Sequence, residues 1–213
     1  MNKKFGPGIL LKYVTGKYFS PKEENRIFMF LDLKSSTTIA ENLSHVLYSK
    51  FVQDCFAELT GPILDYKGQI YQYVGDEAVI TWEKEDGLQG SNCLTFYYDF
   101  IDRLERKRDH FMKRYGVFPE FKAGLSLGLA TVAEVGELKT EIAFHGDVLN
   151  TAARIEGYCT HFNKQLLASE ILALELASNE QYTIHFIGEK QLRGKRENSR
   201  IYSCEKKTTA DNS

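Results

Sequence analysis

The chain has 213 residues, 43% of them hydrophobic, with 27 Lys and Arg against 29 Asp and Glu and a net charge of −2. A chain of this length buries roughly 70% of the surface its unfolded form exposes, so one domain with a full core needs no metal or disulfide staple. The balanced charge excludes a general nucleic-acid binder, and an aromatic content of 13% excludes a disordered chain.

Residues 1–25 mix Gly6, Pro7, Gly8, Gly16 and Pro21 with Phe5, Tyr13, Tyr18 and Phe19, which reads as a lead-in or linker that packs by its aromatics. From Arg26 to Leu33 the run Ile-Phe-Met-Phe-Leu precedes Asp32, the pattern of a strand buried on both faces. A polar cluster, Lys34 to Thr38, follows. Helical periodicity then starts at Ile39, Leu43, Leu47 and Phe51 and lasts until Gly61-Pro62. Gln69–Val74 and Ala78–Trp82 flank Gly75-Asp76-Glu77 and predict a hairpin. Glu83–Gly90 reads as a polar loop, and a helix is expected from about Asn92 to Tyr115, stopped by Gly116.

Phe121–Thr131 and Val132–Val135 read as a second pair of strands, then Gly146–Asn163 as a helix. Gln165–Ala168, Ser169–Ala177, Tyr182–Ile187 and Ser199–Cys204 follow as strand, helix, strand and strand, and 206–213 as a polar tail. The order βαββαβ with appended αβ elements predicts an α+β, ferredoxin-like core covered by helices mainly on one face. The folded domain would span 26–205. No apolar run approaches the ~20 residues a membrane helix needs. Cys55, Cys93, Cys159 and Cys204 form no C-x-x-C pair, which excludes a zinc knuckle. No secretory signal precedes them, so they are expected as buried free thiols in a cytoplasmic protein.

Three places carry chemistry. Asp32 ends a buried strand, where a carboxylate either caps the following helix or is held by a cation. Asp76 sits at the hairpin tip, either as ordinary turn chemistry or as a second carboxylate facing the same point, as a pair of Mg²⁺ ions requires. Between them, the Lys34–Thr38 turn offers backbone amides to a phosphate, although Ser/Thr runs also cap helices without any ligand. The third place is Gly146-Asp147-Val148-Leu149-Asn150-Thr151-Ala152-Ala153-Arg154-Ile155-Glu156. Asn150 and Arg154 share one helix face at i, i+4 and suit an anionic transition state.

Phe28–Thr37, Tyr73-Val74-Gly75-Asp76 and Gly146-x-x-x-Asn150-x-x-x-Arg154 together resemble the class III nucleotidyl cyclases, the adenylate/guanylate cyclase catalytic domain. The resemblance implies that Asp32, Asp76 and the carbonyl of Leu33 hold two Mg²⁺ or Mn²⁺ ions. It implies that Lys34, Ser35, Ser36 and Thr37, with Lys122 and Lys195, contact the triphosphate, that Asn150 orients the ribose, and that Arg154 stabilises charge on the α-phosphate. Lys122 stands where the family usually has arginine, keeping the charge but losing the bidentate fork. Because the two half-sites belong to different domains in this family, a head-to-tail homodimer is implied, with a nucleoside triphosphate as substrate. Flanking membrane or sensor regions are often present in such proteins.

Base selection departs from the family patterns. Adenylate-specific members place Lys and Asp or Thr at the positions of Gln72 and Ala143, and guanylate-specific members place Glu and Cys there. Recognition would then fall to Gln72, to backbone groups near Ala143 and Phe144, or to Tyr73, with ATP the default and GTP, CTP or UTP open. His145 is expected to line the pocket rather than to move protons. Two rivals remain. A diguanylate cyclase shares Gly75-Asp76-Glu77 but lacks the doubled glycine and has no use for Asn150 and Arg154. A catalytically inactive nucleotide-binding module would keep the fold without the chemistry.

Overall fold

The computed structural model of the protein describes residues 18–138, 140–194 and 197–207. Its centre is β1 (Lys22–Leu33), flanked by β3 (Glu77–Glu83) and β4 (Phe121–Val135), both antiparallel to it. β2 (Gln69–Val74) pairs with β3, and the sheet runs on from β4 through β6 (Leu166–Ser169) and β8 (Asn198–Lys206) to β7 (Tyr182–Gln191). The order β2-β3-β1-β4 is the ferredoxin-like arrangement expected from the sequence.

Strand β1 explains why its run is apolar throughout. Ile27, Met29, Leu31 and Leu33 enter the main core, while Phe28 packs on the opposite face with Val79, Ala130, Val148 and Ala152. The main core is closed by α1 (Ser36–Asn42), α2 (His45–Ala57), α3 (Thr60–Asp65), α4 (Lys84–Leu88), α5 (Asn92–Arg106), α6 (Arg108–Tyr115) and, past the second half of β4, α9 (Glu170–Leu176). The other face receives α7 (Asp147–Gly157) and the short α8 (Cys159–Phe162).

Several boundaries differ from the sequence expectation. β1 starts at Lys22, not Arg26, because Lys22–Asn25 continue the ladder opposite Leu129–Val132 of β4. The residues 1–17 of the expected lead-in lie outside the described part. Of its aromatics, Tyr18 is buried and Phe19 exposed. Lys206 ends β8, so the tail starts later; 208–213 also lie outside the described part. Residues 121–135 form one strand, and the partner of its second half is β5 (Glu141–His145). The expected loop 83–90 holds α4, the long helix 92–115 bends at Lys107 into α5 and α6, and the helix after Gly146 breaks past Gly157. All four cysteines are free and buried. Among the described residues, no helix is long and apolar enough to cross a membrane.

Candidate active site

The register puts Asp32 of β1 directly between Glu77 of β3 and Lys122 of β4. Asp76 precedes Glu77 in a two-residue turn, since Val74 pairs with Glu77 and only Gly75 and Asp76 lie between. Gly75 takes φ +63°, as a tight hairpin turn of the primed type needs at its first position. Turn chemistry is thus real here, and it also fixes where Asp76 sits. Asp32 is not a helix cap. The residue before α1 is Ser35, held in the left-handed region at φ 56° with no side-chain capping bond.

Both aspartates act on the same neighbours. Burial, and then the Asp32, Glu156 and Asp76 carboxylates, push Glu77 up to about 7 against the opposing Lys122. Burial, and next the Asp76 carboxylate, likewise raise the Tyr48 hydroxyl, which also feels Asp32 and, in the opposite sense, Ser36 at the start of α1.

Lys122 is held rather than free. Its Nζ lies 3.0 Å from Asp32 Oδ2 and donates to Glu156 Oε1. Although burial opposes its charge, the Glu156 and Asp32 carboxylates hold the ammonium above its usual range. Lys34 Nζ reaches Glu120 Oε2 at 2.7 Å in a solvent-exposed pair. Lys34, Lys122 and Lys164 line one open cleft of about 400 Å³.

Helix α7 carries the second half of the candidate site. It lies so close to β4 that a Cβ on Gly124 would come within 2.2 Å of Glu156 N and 2.5 Å of Ala152 O, so only glycine fits there. Asn150 is exposed, and Arg154 is partly so, with Nη1 4.0 Å from Asp147 Oδ1. The loop at Gly194 packs against the Arg154 guanidinium, 3.4 Å from where a Gly194 Cβ would be. Lys195, next in that loop, lies outside the described residues. Arg154 and Glu156 are two positions apart, about 200° around an α-helix. The guanidinium therefore points away from the side on which Glu156 meets Lys122.

At the proposed base position, Phe144 packs edge-on to Phe28 and Tyr71, with centroids at 5.4 and 5.0 Å, and the buried Arg26 guanidinium lies 4.8 Å over its ring. Gln72 is exposed, Ala143 half-buried and His145 exposed. Sequence reasoning assigned no role to Glu156, Glu77 or Tyr48. Glu156 closes the quoted helix motif, but its burial against Lys122 depends on how near α7 comes to β4.

As a metal site the donors are hard oxygens, two carboxylates at the ends of neighbouring strands, of the kind Mg²⁺ takes together with substrate phosphates and water. Among the described residues, no three His, Cys, Asp or Glu side chains form a ready-made cage.

No protein-family model matches the chain. It is 34% identical over 190 residues to adenylate cyclase 2 of Rhizobium meliloti, covering 89% of this chain and 52% of that protein. Among solved structures it superposes on a bacterial light-regulated adenylyl cyclase with a TM-score of 0.80 and 21% identity, covering 96% of this chain and 60% of that one. The adenylyl cyclase CyaB from P. aeruginosa gives a TM-score of 0.77 at 16% identity, covering 89% of this chain and 98% of that one. Fold and sequence together define a nucleotidyl cyclase catalytic domain, and the chain belongs to the class III family. It spans about half the length of the curated relative described above.

Proposed function

We propose that the chain converts a nucleoside triphosphate, ATP first, into a 3′,5′-cyclic nucleotide and pyrophosphate. The observation that carries this is the convergence of Asp32 and Asp76 on adjacent strand ends, beside Lys122 and the α1 turn. The similarity to a protein named adenylate cyclase supports ATP.

In this reading Asp32, Asp76 and the Leu33 carbonyl would hold two Mg²⁺ or Mn²⁺ ions, which when bound supply activation of the ribose 3′-hydroxyl and charge neutralisation on the triphosphate. The 3′-oxygen bonds to the α-phosphorus, the bond from that phosphorus to the bridging oxygen breaks, and the hydroxyl proton passes to solvent. The turn Lys34–Thr37, Lys122 and Lys195 would neutralise the β- and γ-phosphates, Asn150 would hold the ribose, and Arg154 would meet charge building on the α-phosphate. Gln72, Ala143 and Phe144 would border the base.

The orientation of α7 supports a shared site. Arg154 turns away from its own chain's Asp32, so a second copy placed head-to-tail would bring it to the partner's carboxylates and create two equivalent sites. A cytoplasmic setting follows from the chemistry, since the substrate is held there.

The test is a product assay with Mn²⁺ and ATP, GTP, CTP or UTP in separate reactions, read by mass spectrometry at concentrations where the protein is dimeric. A cyclic product from the ATP reaction supports the reading. A cyclic product from another triphosphate alone keeps the reaction and reassigns the base, for which Gln72 and Ala143 match neither purine pattern. No cyclic product in any reaction favours the inactive nucleotide-binding module.

A further inference from the structure

Glu156 is the only carboxylate among the buried side chains of the described residues, at 8% exposure. A carboxylate so placed is costly unless it is paired and hydrogen-bonded. Its partner is Lys122, which also reaches Asp32. Backbone contact fixes this arrangement: α7 is seated on Gly124, two residues beyond Lys122 on β4, and Cys159 Sγ just past α7 lies 3.4 Å from the Ala123 carbonyl oxygen. Glu156 therefore cannot drift from the strand that carries Lys122.

The consequence concerns Asp32. An ammonium has three donors and can serve two carboxylates at once. With the Glu156 carboxylate beside it, Lys122 divides its donors between two anchors. Without that carboxylate, the ammonium would close on Asp32 alone, and any cation approaching Asp32 would have to displace it.

We propose that Glu156 is a positioning residue that anchors the Lys122 ammonium from the side and so leaves the Asp32 carboxylate available to a divalent cation. This rests on the reading of Asp32 and Asp76 as the metal carboxylates. The same anchor holds Lys122 at the rim of the lysine-lined cleft, where a polyphosphate would meet it.

The test is Mn²⁺ binding to the nucleotide-free protein, followed by loss of the free-ion EPR signal, with an Asp32→Asn/Asp76→Asn double variant defining ions held elsewhere. Glu156→Gln, which keeps the side-chain shape, is expected to weaken the Asp32-dependent binding about tenfold, the low end of what outer-sphere partners contribute. Lys122→Met removes the competing ammonium, so adding Glu156→Gln to it is expected to cause no further loss. The double variant also removes both buried charges together, which keeps the comparison available if the single variant folds poorly. If wild type takes up no more Mn²⁺ than the Asp32/Asp76 control, the metal reading fails and the inference with it. If wild type binds and Glu156→Gln binds equally well, the inference alone is overturned. A loss that persists in the Lys122→Met background overturns it too, because Glu156 would then act on the ion directly.

Discussion

The two halves of the site are built in opposite ways. The carboxylate half is internal: Asp32 lies in the middle of a three-strand ladder, with Lys122 and Glu156 packed against it. The helix half faces out, with Asn150 exposed and Arg154 partly so. The contrast is between carboxylates held by packed neighbours within one chain and polar groups displayed on an outward-facing surface, where the proposed shared site would use them.

The carboxylate half is the place to break the comparison hardest. Asp32→Ala and Asp76→Ala are each expected to lower turnover more than about 10³-fold while circular dichroism stays that of the folded protein. Turnover within tenfold of wild type in either variant removes the two-carboxylate assignment.

Arg154→Ala comes next, with an expected loss of about 10²–10³-fold in kcat and little change in KM, the size seen for groups that meet charge only in the transition state. Mixing it with Asp32→Ala sharpens the contrast between halves. After equal mixing and subunit exchange, half of the dimers are mixed and each has one intact site, so about one quarter of wild-type activity is expected to return. Exchange without recovery would place both halves of the site in one chain.

Between the halves lies the contact of α7 with β4, and Gly124→Ala probes it. The added methyl would lie 2.2 Å from Glu156 N and 2.5 Å from Ala152 O, and both are backbone atoms of a packed helix that cannot swing aside. A loss of about 2–3 kcal/mol in unfolding free energy is expected from denaturant melts, typical of overpacking. An unchanged midpoint would mean that α7 is not clamped there.

What the sequence made legible was whatever lies in local pattern. The Ile27–Leu31 run announced a doubly buried central strand, and the turn residues Gly75-Asp76 announced the hairpin. The register that sets Asp32 between Glu77 and Lys122 was not legible, because pairing partners 45 and 90 residues apart leave no local trace. Residues 39–51 read as one helix because α1 and α2 keep their apolar stripes in phase across the break. Ser44, which caps α2 by accepting from Leu47 N at 3.3 Å, was the signal available. The local pattern suggests a division of β4 after Thr131 although no turn residue stands before Gly136; the strand gains a second partner there, β5 pairing from Thr131 onward while β1 pairs up to Val132. Glu156 was visible as a letter but not as a buried ion, since its environment is made by a close approach that only Gly124 permits.

The smallest expected effect belongs to Glu77 and concerns the stability of the metal-free protein. Burial and the neighbouring Asp32, Glu156 and Asp76 carboxylates raise it from its ordinary value of 4.5 to about 7. A group raised on folding contributes stability that is fully present below pH 4.5 and is lost as pH rises through about 7, because the native state then carries a charge it disfavours. Glu77→Gln keeps the uncharged form at every pH. The variant is thus expected to match wild type in Tm near pH 4.5 and to exceed it by a few degrees above pH 7, with the gap opening between. Glu156, raised in the same sense chiefly by burial, leaves part of the pH slope in place. A gap that is constant with pH would show that Glu77 does not titrate in this window. Added Mn²⁺ should narrow the gap in wild type, since cations at the carboxylate half neutralise the charges that raise Glu77, whereas nothing bound at the exposed helix half would do so.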